Sequence, residues 1–174
     1  DAAPGDRRGR PTDRRAVYPS LHGKRVLITG GGSGIGAGLV EGFVRQGARV
    51  TFFDIAEEDS RALVQSFADA EHQPVFERVD LTDIPALQAT IQRLIDADGA
   101  FDILINNAGN DDRHTIEQVT PDYWDNRFAV NLRHLFFAAQ AVAPGMKAQG
   151  GGVIVNLGSI SWHLAIAELP LYQT

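Results

Sequence analysis

The chain has 174 residues, of which 44% are hydrophobic and 22% are charged, as is typical of one globular domain that can bury a sizeable core. It contains no Cys, which excludes a disulfide scaffold, a zinc site built from thiolates and a cysteine nucleophile. The formal net charge of -6 argues against a nucleic-acid partner, and no apolar run approaches the roughly 20 residues of a membrane span, so we expect a cytoplasmic protein.

Residues 1–20 differ from the rest of the chain in composition. They carry five Arg, three Asp and three Pro and few large apolar side chains, so they cannot fold alone. We interpret them as a flexible N-terminal tail that Val17 and Tyr18 could anchor to the body, with a basic arm for a partner as the alternative. Residues 21–174 form the expected folded domain.

From Leu21 onward, short runs rich in β-branched residues alternate with amphipathic stretches of helical length. The predicted strands are Lys24–Thr29, Arg49–Asp54, Val75–Asp80, Phe101–Asn106 and Val153–Leu157. The predicted helices are Gly34–Gln46, Glu57–Ala70, Ile84–Asp98 and a long one from about Pro121 to Met146. Apolar strands separated by helices predict an α/β fold with a doubly wound parallel sheet that is covered on both faces.

The last predicted strand leaves an open edge. Val153-Ile154-Val155 has the pattern of an interior strand, yet no later segment of the sequence can pair with its far side. An exposed apolar edge promotes aggregation. We therefore expect the sequence to be part of a longer chain, and a partner that covers the edge is the alternative.

A glycine-rich turn, Thr29–Gly36 (TGGGSGIG), follows the first predicted strand. It lies inside a βαβ unit, where the pyrophosphate of a dinucleotide rests against the N-terminus of a helix. Glycines permit a tight turn and close approach of the backbone to the phosphates, because a Cβ atom would collide with them. A flexible loop is the alternative, but the βαβ context favours cofactor binding.

Asp54 ends the second predicted strand, where a carboxylate can accept hydrogen bonds from the ribose hydroxyls of adenosine. The same charge would repel a 2′-phosphate. Ile55 and Ala56 offer no cation, and the glycine turn has Ser33 rather than Arg or Lys. These residues predict a Rossmann-type fold that prefers NAD to NADP, whereas a helix N-cap is the alternative role of Asp54.

The glycine spacing T-G-x-x-x-G-x-G makes residues 21–174 resemble the short-chain dehydrogenase/reductase family. The resemblance rests on an ordered set of motifs along the chain: Thr29–Gly36, Val79-Asp80-Leu81-Thr82, Asn106-Asn107-Ala108-Gly109, Asn131, Ser159 and Tyr172. It implies a cofactor site formed by Gly30, Gly32, Ser33, Gly34, Ile35, Gly36, Asp54, Asp80, Leu81, Asn107, Ala108 and Gly109. A helix cap ahead of Ile84 is the alternative role of Asp80, and for Asn106 we prefer a structural role.

The resemblance also implies three catalytic residues: Asn131, Ser159 and Tyr172. Ser159 and Tyr172 are thirteen residues apart, as in the catalytic pair of this family. Tyr172 would act as the base, Ser159 would hold the reacting oxygen, and Asn131 would anchor a water molecule in the proton relay. A phenol with an ordinary pKa of about 10 is a poor base at neutral pH. It becomes effective when a Lys ammonium and the oxidised nicotinamide stabilise the phenolate.

The sequence departs from the family pattern at its end. The motif Tyr-x-x-x-Lys would place the lysine at position 176, and the sequence stops at Thr174. The lysine, two further strands and the substrate lid of the family are absent from these residues. We therefore expect the 174-residue chain to be inactive without a C-terminal part.

Four local runs are similar to bacterial aldose dehydrogenases within the family: residues 18–21, 107–114, 131–134 and 158–163. The resemblance implies oxidation of the anomeric C1 hydroxyl of an aldose, such as the pentose D-xylose, to a lactone. A sugar needs buried polar partners and an apolar platform for its ring. We expect these partners at Asn110, Ser159, Trp162 and His163. A structural histidine is the alternative role of His163, and a solvated loop is the alternative for residues 111–113.

Two other functions stay open: a related reductase that acts on another ketone or alcohol, and an NAD-binding protein without catalysis. The polar stretch Asn110-Asp111-Asp112 weighs against an apolar substrate, whereas Ser159 and Tyr172 weigh against a loss of catalysis. No cluster of His or carboxylate residues has a convincing metal spacing, so we expect no required metal. In line with the resemblance, we expect a homo-oligomer, either a dimer or a tetramer.

Overall fold

The structure is a computed structural model that describes residues 16–164 and 166–173. Its five strands are parallel and form one sheet in the order β3-β2-β1-β4-β5. The strands are β1 (Arg25–Thr29), β2 (Arg49–Asp54), β3 (Val75–Arg78), β4 (Ile103–Asn106) and β5 (Val153–Asn156). The strand order reverses between β1 and β4, so the predicted doubly wound α/β fold is confirmed.

Helices connect these strands on both faces of the sheet. They are α1 (Gly34–Arg45), α2 (Glu57–Ser66), α3 (Ile84–Asp98), α4 (Pro121–Phe128) and α5 (His134–Ala148). A π-helical turn, Ala129–Arg133, joins α4 to α5, and short 3₁₀ turns occur at Pro19–Leu21 and Ile116–Gln118. Within the described residues, no helix is both long and apolar enough to cross a membrane.

Strand β1 is buried throughout and separates two apolar clusters. Because successive side chains of a strand point to opposite faces, Leu27 packs into the cluster formed with α3 and α5. Val26 and Ile28 pack into the other cluster, against side chains of α1 and α2. Burial of an aliphatic side chain of this size stabilises a fold by roughly 1.5–3 kcal/mol. The central strands therefore form a firm support for the loops at their carboxyl ends.

Strand β5 lies at an edge of the sheet, where it pairs with β4. All four of its residues are exposed, including Val153, Ile154 and Val155. The open apolar edge that the sequence predicts is therefore confirmed.

Helix α2 is shorter than predicted, because it ends at Ser66 and not at Ala70. The backbone N–H groups of Phe67, Ala68 and Ala70 each donate to the carbonyl three residues earlier, at 3.0–3.1 Å. Such bonds form a tight terminal turn instead of a further α-helical turn. Helical periodicity does not distinguish these two ways of ending a helix.

The prediction of one long helix from about Pro121 to Met146 is confirmed in extent, because the backbone is helical from Pro121 to Ala148, but the helix contains a π-helical turn that was not predicted. Asn131 lies in this turn, and its amide exchanges two hydrogen bonds with the backbone of Asn110. The N–H of Asn110 donates to Asn131 Oδ1 at 2.7 Å, and Asn131 Nδ2 donates to the carbonyl of Asn110 at 3.1 Å. A contact with a distant loop therefore accompanies the π-helical turn.

A fully buried histidine, His134, begins α5. Its ring nitrogens have no hydrogen-bond partner of normal geometry among the described residues. Burial lowers the pKa of the His134 imidazole to about 4, and nearby carbonyl groups of Val130 and Ala129 offset part of that effect. The ring is therefore neutral at pH 7 and packs with the apolar face of α5, a role that the sequence did not indicate.

Most of the predicted tail, residues 1–15, lies outside the described residues. The part that follows contacts the body through polar groups: Tyr18 N–H donates to Gln46 Oε1 at 2.7 Å, and Gln46 Nε2 donates to the carbonyl of Ala16 at 3.0 Å. The side chains of Val17 and Tyr18 are exposed. The expectation of an apolar anchor is therefore wrong, because one glutamine side chain pairs with the backbone here.

Candidate active site

A cleft of about 540 Å³ opens at the carboxyl ends of β1, β2, β3 and β4. Ligands of doubly wound folds bind at this edge, beside the point where the strand order reverses. Every residue that the sequence predicts to contact the cofactor lines this cleft except Gly32. The lining also contains residues that the sequence reasoning missed, each adjacent along the chain to a predicted residue: Ile55, Val79, Thr82 and Val130.

The glycine turn after β1 is closed by direct packing of backbone on backbone. Gly30 has a φ of 67°, which favours glycine, and an added Cβ atom would lie 2.7 Å from the Cα of Ala108. A Cβ atom on Gly36 would overlap the carbonyl oxygen of Gly30. These two positions therefore require glycine for steric reasons.

The start of α1 lines this cleft with Gly34, Ile35 and Gly36. The N-cap residue is Ser33, whose side chain makes no capping hydrogen bond in the described structure. The first N–H groups of a helix lack partners within the helix, and together with the helix dipole they bind anions. The glycine turn and the uncapped helix start fit a pyrophosphate group.

The Asp54 carboxylate connects the loops after β1 and β2. Its Oδ2 accepts a hydrogen bond from the Gly32 N–H at 2.8 Å, and its Oδ1 accepts from the N–H groups of Ile55 and Ala56 at 2.8 and 2.9 Å. Ala56 is the N-cap residue of α2, so Asp54 holds the chain ahead of this helix without being its cap. A carboxylate offers about four acceptor positions, which leaves Oδ2 able to accept a further bond from a ribose hydroxyl.

Gly32 itself is buried behind the lining. A Cβ atom at this position would collide with the hydroxyl of Ser60 and the carboxylate of Asp54. The structure therefore places Gly32 as the donor that orients Asp54, and a direct contact between Gly32 and a cofactor stays a prediction.

Asp80 and Leu81 also line the cleft, in the loop after β3. Asp80 Oδ1 accepts hydrogen bonds from the hydroxyl of Thr82 at 2.7 Å and from its N–H at 2.9 Å. These bonds lower the pKa of Asp80 and keep it ionised. The alternative of Asp80 as a helix cap is wrong, because Asp83 caps α3 by accepting from the Ala86 N–H at 3.0 Å.

Asn107 both braces the sheet and lines the cleft. Its Nδ2 donates to the carbonyls of Thr29 and Gly30 at 3.1 and 2.8 Å. The N–H groups of Asn107 and Ala108 donate to the Thr29 hydroxyl at 3.1 and 3.2 Å. The buried Asn106 donates to the side chain of Asn156 at 2.9 Å, which links β4 to β5. The structural role that we preferred for Asn106 agrees with this contact.

Of the predicted catalytic residues, the structure brings Tyr172 to the cleft. Asn131 is not part of the lining but follows Val130, which is, and it is held by Asn110. Ser159 lies outside the lining, where its hydroxyl pairs with the Ser161 hydroxyl at 2.9 Å. A direct contact between Ser159 and Tyr172 therefore stays a prediction.

Of the predicted sugar-binding residues, too, only some line the cleft. Asn110 lines the cleft beside Asp111, whereas Trp162 and His163 do not. The Trp162 side chain is 65% exposed, and its ring packs edge-on against that of His163 at 5.3 Å. Roles for Trp162 and His163 in substrate binding stay predictions.

The charge of the cleft is negative. Among the described lining residues, three are Asp (Asp54, Asp80 and Asp111) and none is Lys or Arg. No group of three or more His, Asp and Glu side chains in the described part of the chain could hold a metal ion. The arrangement therefore suits a ligand whose phosphates are bound by backbone N–H groups instead of by cationic side chains.

The chain is similar to known bacterial dehydrogenases in sequence. It is 58% identical over 159 residues to the D-xylose 1-dehydrogenase of Caulobacter vibrioides, covering 91% of this chain and 62% of that protein. It is 51% identical over 158 residues to a probable galactose dehydrogenase of Rhizobium meliloti, covering 90% of this chain and 62% of that protein. The chain thus spans 62% of the length of these curated relatives.

The fold is similar to that of a gluconate 5-dehydrogenase from Burkholderia cenocepacia in complex with NADP and tartrate. The TM-score is 0.78 and the sequence identity 36%, covering 87% of this chain and 60% of that chain. In addition, residues 24–174 match the model of the short chain dehydrogenase family. The chain therefore belongs to the short-chain dehydrogenase family, as its glycine turn, strand order and cleft indicate.

Proposed function

We propose that the complete protein carrying this chain is an NAD-dependent sugar dehydrogenase that oxidises the C1 hydroxyl of an aldose, such as the pentose D-xylose, to a lactone. The observation that carries the proposal is that Tyr172 lines the same cleft as the glycine turn and Asp54. A proton acceptor and a dinucleotide site thereby share one space. The similarity to proteins described as D-xylose 1-dehydrogenase and probable galactose dehydrogenase supports a sugar as the substrate.

In this proposal, each residue has a distinct task. A bound nicotinamide would accept the hydride that leaves C1. Tyr172 Oη would take the proton of the C1 hydroxyl, so that the carbon–oxygen bond becomes the carbonyl of the lactone. Ser159 would hold the reacting oxygen, and Asn131, fixed by Asn110, would anchor a water molecule that carries the proton onward.

The preference for NAD rests on Asp54. Its carboxylate can accept a bond from a ribose hydroxyl, whereas a 2′-phosphate at that place would meet a negative charge with no cation among the described lining residues. The Burkholderia structure contains NADP, so the fold itself does not decide between the two cofactors. The choice depends on the residues at the end of β2.

Replacing Asp54 with Ala should narrow the preference for NAD over NADP. Loss of a hydrogen bond to a charged group costs about 1.5–3 kcal/mol, so we expect the ratio of the two dissociation constants to change by roughly ten- to 150-fold. The measurement is a fluorescence titration of each cofactor with the complete protein. Asp111→Asn is the matched control, because it removes one negative charge from the same lining. A preference for NADP in the unsubstituted protein would refute the cofactor assignment.

A substrate panel tests the proposed activity directly. The complete protein should form NADH with D-xylose, L-arabinose or L-fucose faster than with a simple secondary alcohol or a hydroxysteroid, because the cleft presents Asn110 and Asp111 to a polar ligand. Turnover of the alcohol or the steroid without any sugar would favour the alternative, a related dehydrogenase or reductase for another substrate. NAD binding without turnover of any substrate would favour the non-catalytic alternative.

We further infer that the protein is a cytoplasmic homo-oligomer, a dimer or a tetramer. Large apolar side chains are exposed along α4, the π-helical turn and α5: Trp124, Leu132 and Phe136, the last at 66%. Contiguous exposed apolar surface marks protein–protein contacts. These side chains support self-association, and the small-molecule sugar remains the only other partner that we propose.

A further inference from the structure

A buried histidine in the loop after β4 holds the segment that carries Tyr172. His114 is 6% exposed, and its Nε2 accepts a hydrogen bond from the N–H of Leu171, the residue before Tyr172, at 3.3 Å. The backbone N–H of His114 donates to the carbonyl of Glu168 at 2.9 Å. Glu168 has a φ of 67°, which non-glycine residues rarely adopt. Two hydrogen bonds to His114 thus fix residues 168–171, the segment that precedes Tyr172.

The partners of the His114 ring define its tautomer. The ring Nδ1 lies 2.8 Å from the carbonyl oxygen of Asp112, which can only accept, so Nδ1 carries the proton. The Leu171 N–H can only donate, so Nε2 carries none. A neutral ring with its proton on Nδ1 satisfies both contacts at once.

Tyr123 also contacts the His114 ring, at the same nitrogen as the Asp112 carbonyl. Its hydroxyl donates to Asp112 Oδ2 at 2.9 Å and lies 3.0 Å from His114 Nδ1. Desolvation and the bond to Asp112 raise the pKa of Tyr123, so the hydroxyl keeps its proton as a donor. The two rings also pack edge-on with their centroids 4.9 Å apart. The orientation of the imidazole is therefore set by Asp112 and Tyr123 together.

The same loop also holds Asn131, the predicted anchor of the water molecule in the proton relay. Asp112 N–H donates to Asn110 Oδ1 at 2.9 Å, and the backbone of Asn110 exchanges two bonds with the amide of Asn131. Hydrogen bonds within residues 110–114 thus connect the π-helical turn to the segment before Tyr172. One loop after β4 therefore hydrogen-bonds both to Asn131 and to the residue that precedes Tyr172.

We propose that His114 is a positioning residue for Tyr172, acting through the bond from the Leu171 N–H to its Nε2. The inference rests on the proposed function, in which Tyr172 accepts the substrate proton. A proton acceptor must lie within hydrogen-bond reach of the reacting hydroxyl, and small displacements are costly. His114 does not line the cleft, and the sequence motifs give it no role. Its ring acts on the backbone of Leu171, which is distant in sequence.

Two substitutions separate the acceptor from the rest of the ring. His114→Gln keeps an acceptor near the place of Nε2, whereas His114→Asn keeps only a polar group near the place of Nδ1. In the complete protein, we expect His114→Asn to lower kcat by about ten- to a hundredfold, the order of a displaced catalytic group. We expect His114→Gln to retain most of kcat. In both variants the Kd for NAD should stay unchanged, because the glycine turn and Asp54 are untouched.

The control is Arg113→Gln in the same loop. Arg113 lies 3.9 Å from the Glu168 carboxylate in an exposed ion pair, which contributes little. This variant should keep the kcat of the unsubstituted protein. Equal kcat in His114→Asn, His114→Gln and the unsubstituted protein would overturn the proposal. An equal loss in both His114 variants with a lowered melting temperature would also overturn it, since that pattern indicates a structural role alone.

Amide hydrogen exchange of residues 168–173 gives a second readout that needs no activity. We expect faster exchange in His114→Asn than in His114→Gln, because the Leu171 N–H loses its acceptor in the former variant alone. Unchanged exchange in both variants would overturn the positioning role. If the unsubstituted protein turns over no substrate, the proposed function fails, and the exchange comparison still decides the role of His114.

Discussion

Tyr172→Phe should abolish nearly all sugar turnover by the complete protein and leave its affinity for NAD almost unchanged. The substitution removes one hydroxyl from the cleft lining and keeps the ring. A positioned general base contributes about 10²–10⁴-fold to a rate, so we expect kcat to fall by that order. Steady-state kinetics with D-xylose, together with a titration of NAD, separates the loss of chemistry from a loss of binding.

Tyr18→Phe is the matched control for this variant. The Tyr18 side chain is exposed and lies outside the cleft lining, so the same loss of a hydroxyl should leave kcat unchanged. Normal turnover by Tyr172→Phe would show that another group accepts the proton. The role of the cleft as a cofactor site would then stand, because Asp54 and the glycine turn do not depend on Tyr172.

Local pattern was sufficient to predict the central part of the fold. Strands β1 and β2 carry apolar side chains on both faces, so their burial on both faces follows from composition. Helix α3 has the predicted bounds Ile84–Asp98, because a regular apolar stripe and the Asp83 cap are encoded within the helix and at its edge. Asn131 could be suspected of kinking this helix, but its bonds to Asn110, 21 residues away in sequence, at the π-helical turn Ala129–Arg133 were not predictable from a local pattern.

The same distinction applies to the candidate site. Residues at the carboxyl ends of parallel strands meet at one edge of the sheet, so spacing along the chain was enough to predict which residues line the cleft that we propose as the cofactor site. Ser159, Trp162 and His163 follow β5, and no local pattern fixes the path of that loop relative to Tyr172. His114 depends on a contact with Leu171 that is 57 residues away in sequence, so only the folded structure reveals it.

Gly36→Ala should lower the stability of the fold or weaken the binding of the cofactor, because the added methyl group has no room. An added Cβ atom would overlap the carbonyl oxygen of Gly30 and lie 2.7 Å from Asn107 Nδ2. Neither group is the free end of a flexible side chain, because Asn107 is held by its bonds to Thr29 and Gly30. The start of α1 must therefore move away from the turn that we propose as the pyrophosphate site.

Gly38→Ala, two residues further along α1, is the control for this variant. An added Cβ atom at Gly38 would meet no heavy atom within 4 Å. Alanine within a helix is more favourable than glycine by roughly 0.5–1 kcal/mol, so Gly38→Ala should raise the free energy of unfolding slightly and leave the Kd for NAD unchanged.

Overpacking costs about 1–3 kcal/mol, so Gly36→Ala should lower the free energy of unfolding by that amount or weaken NAD binding by roughly five- to 150-fold. The division between the two effects is informative. If the glycine turn shifts, the affinity for NAD falls while the melting temperature changes little. If helix α1 shifts, both the affinity and the melting temperature fall. Tight NAD binding by a Gly36→Ala protein of normal stability would contradict the assignment of this turn, because a pyrophosphate held there cannot tolerate a displaced helix start.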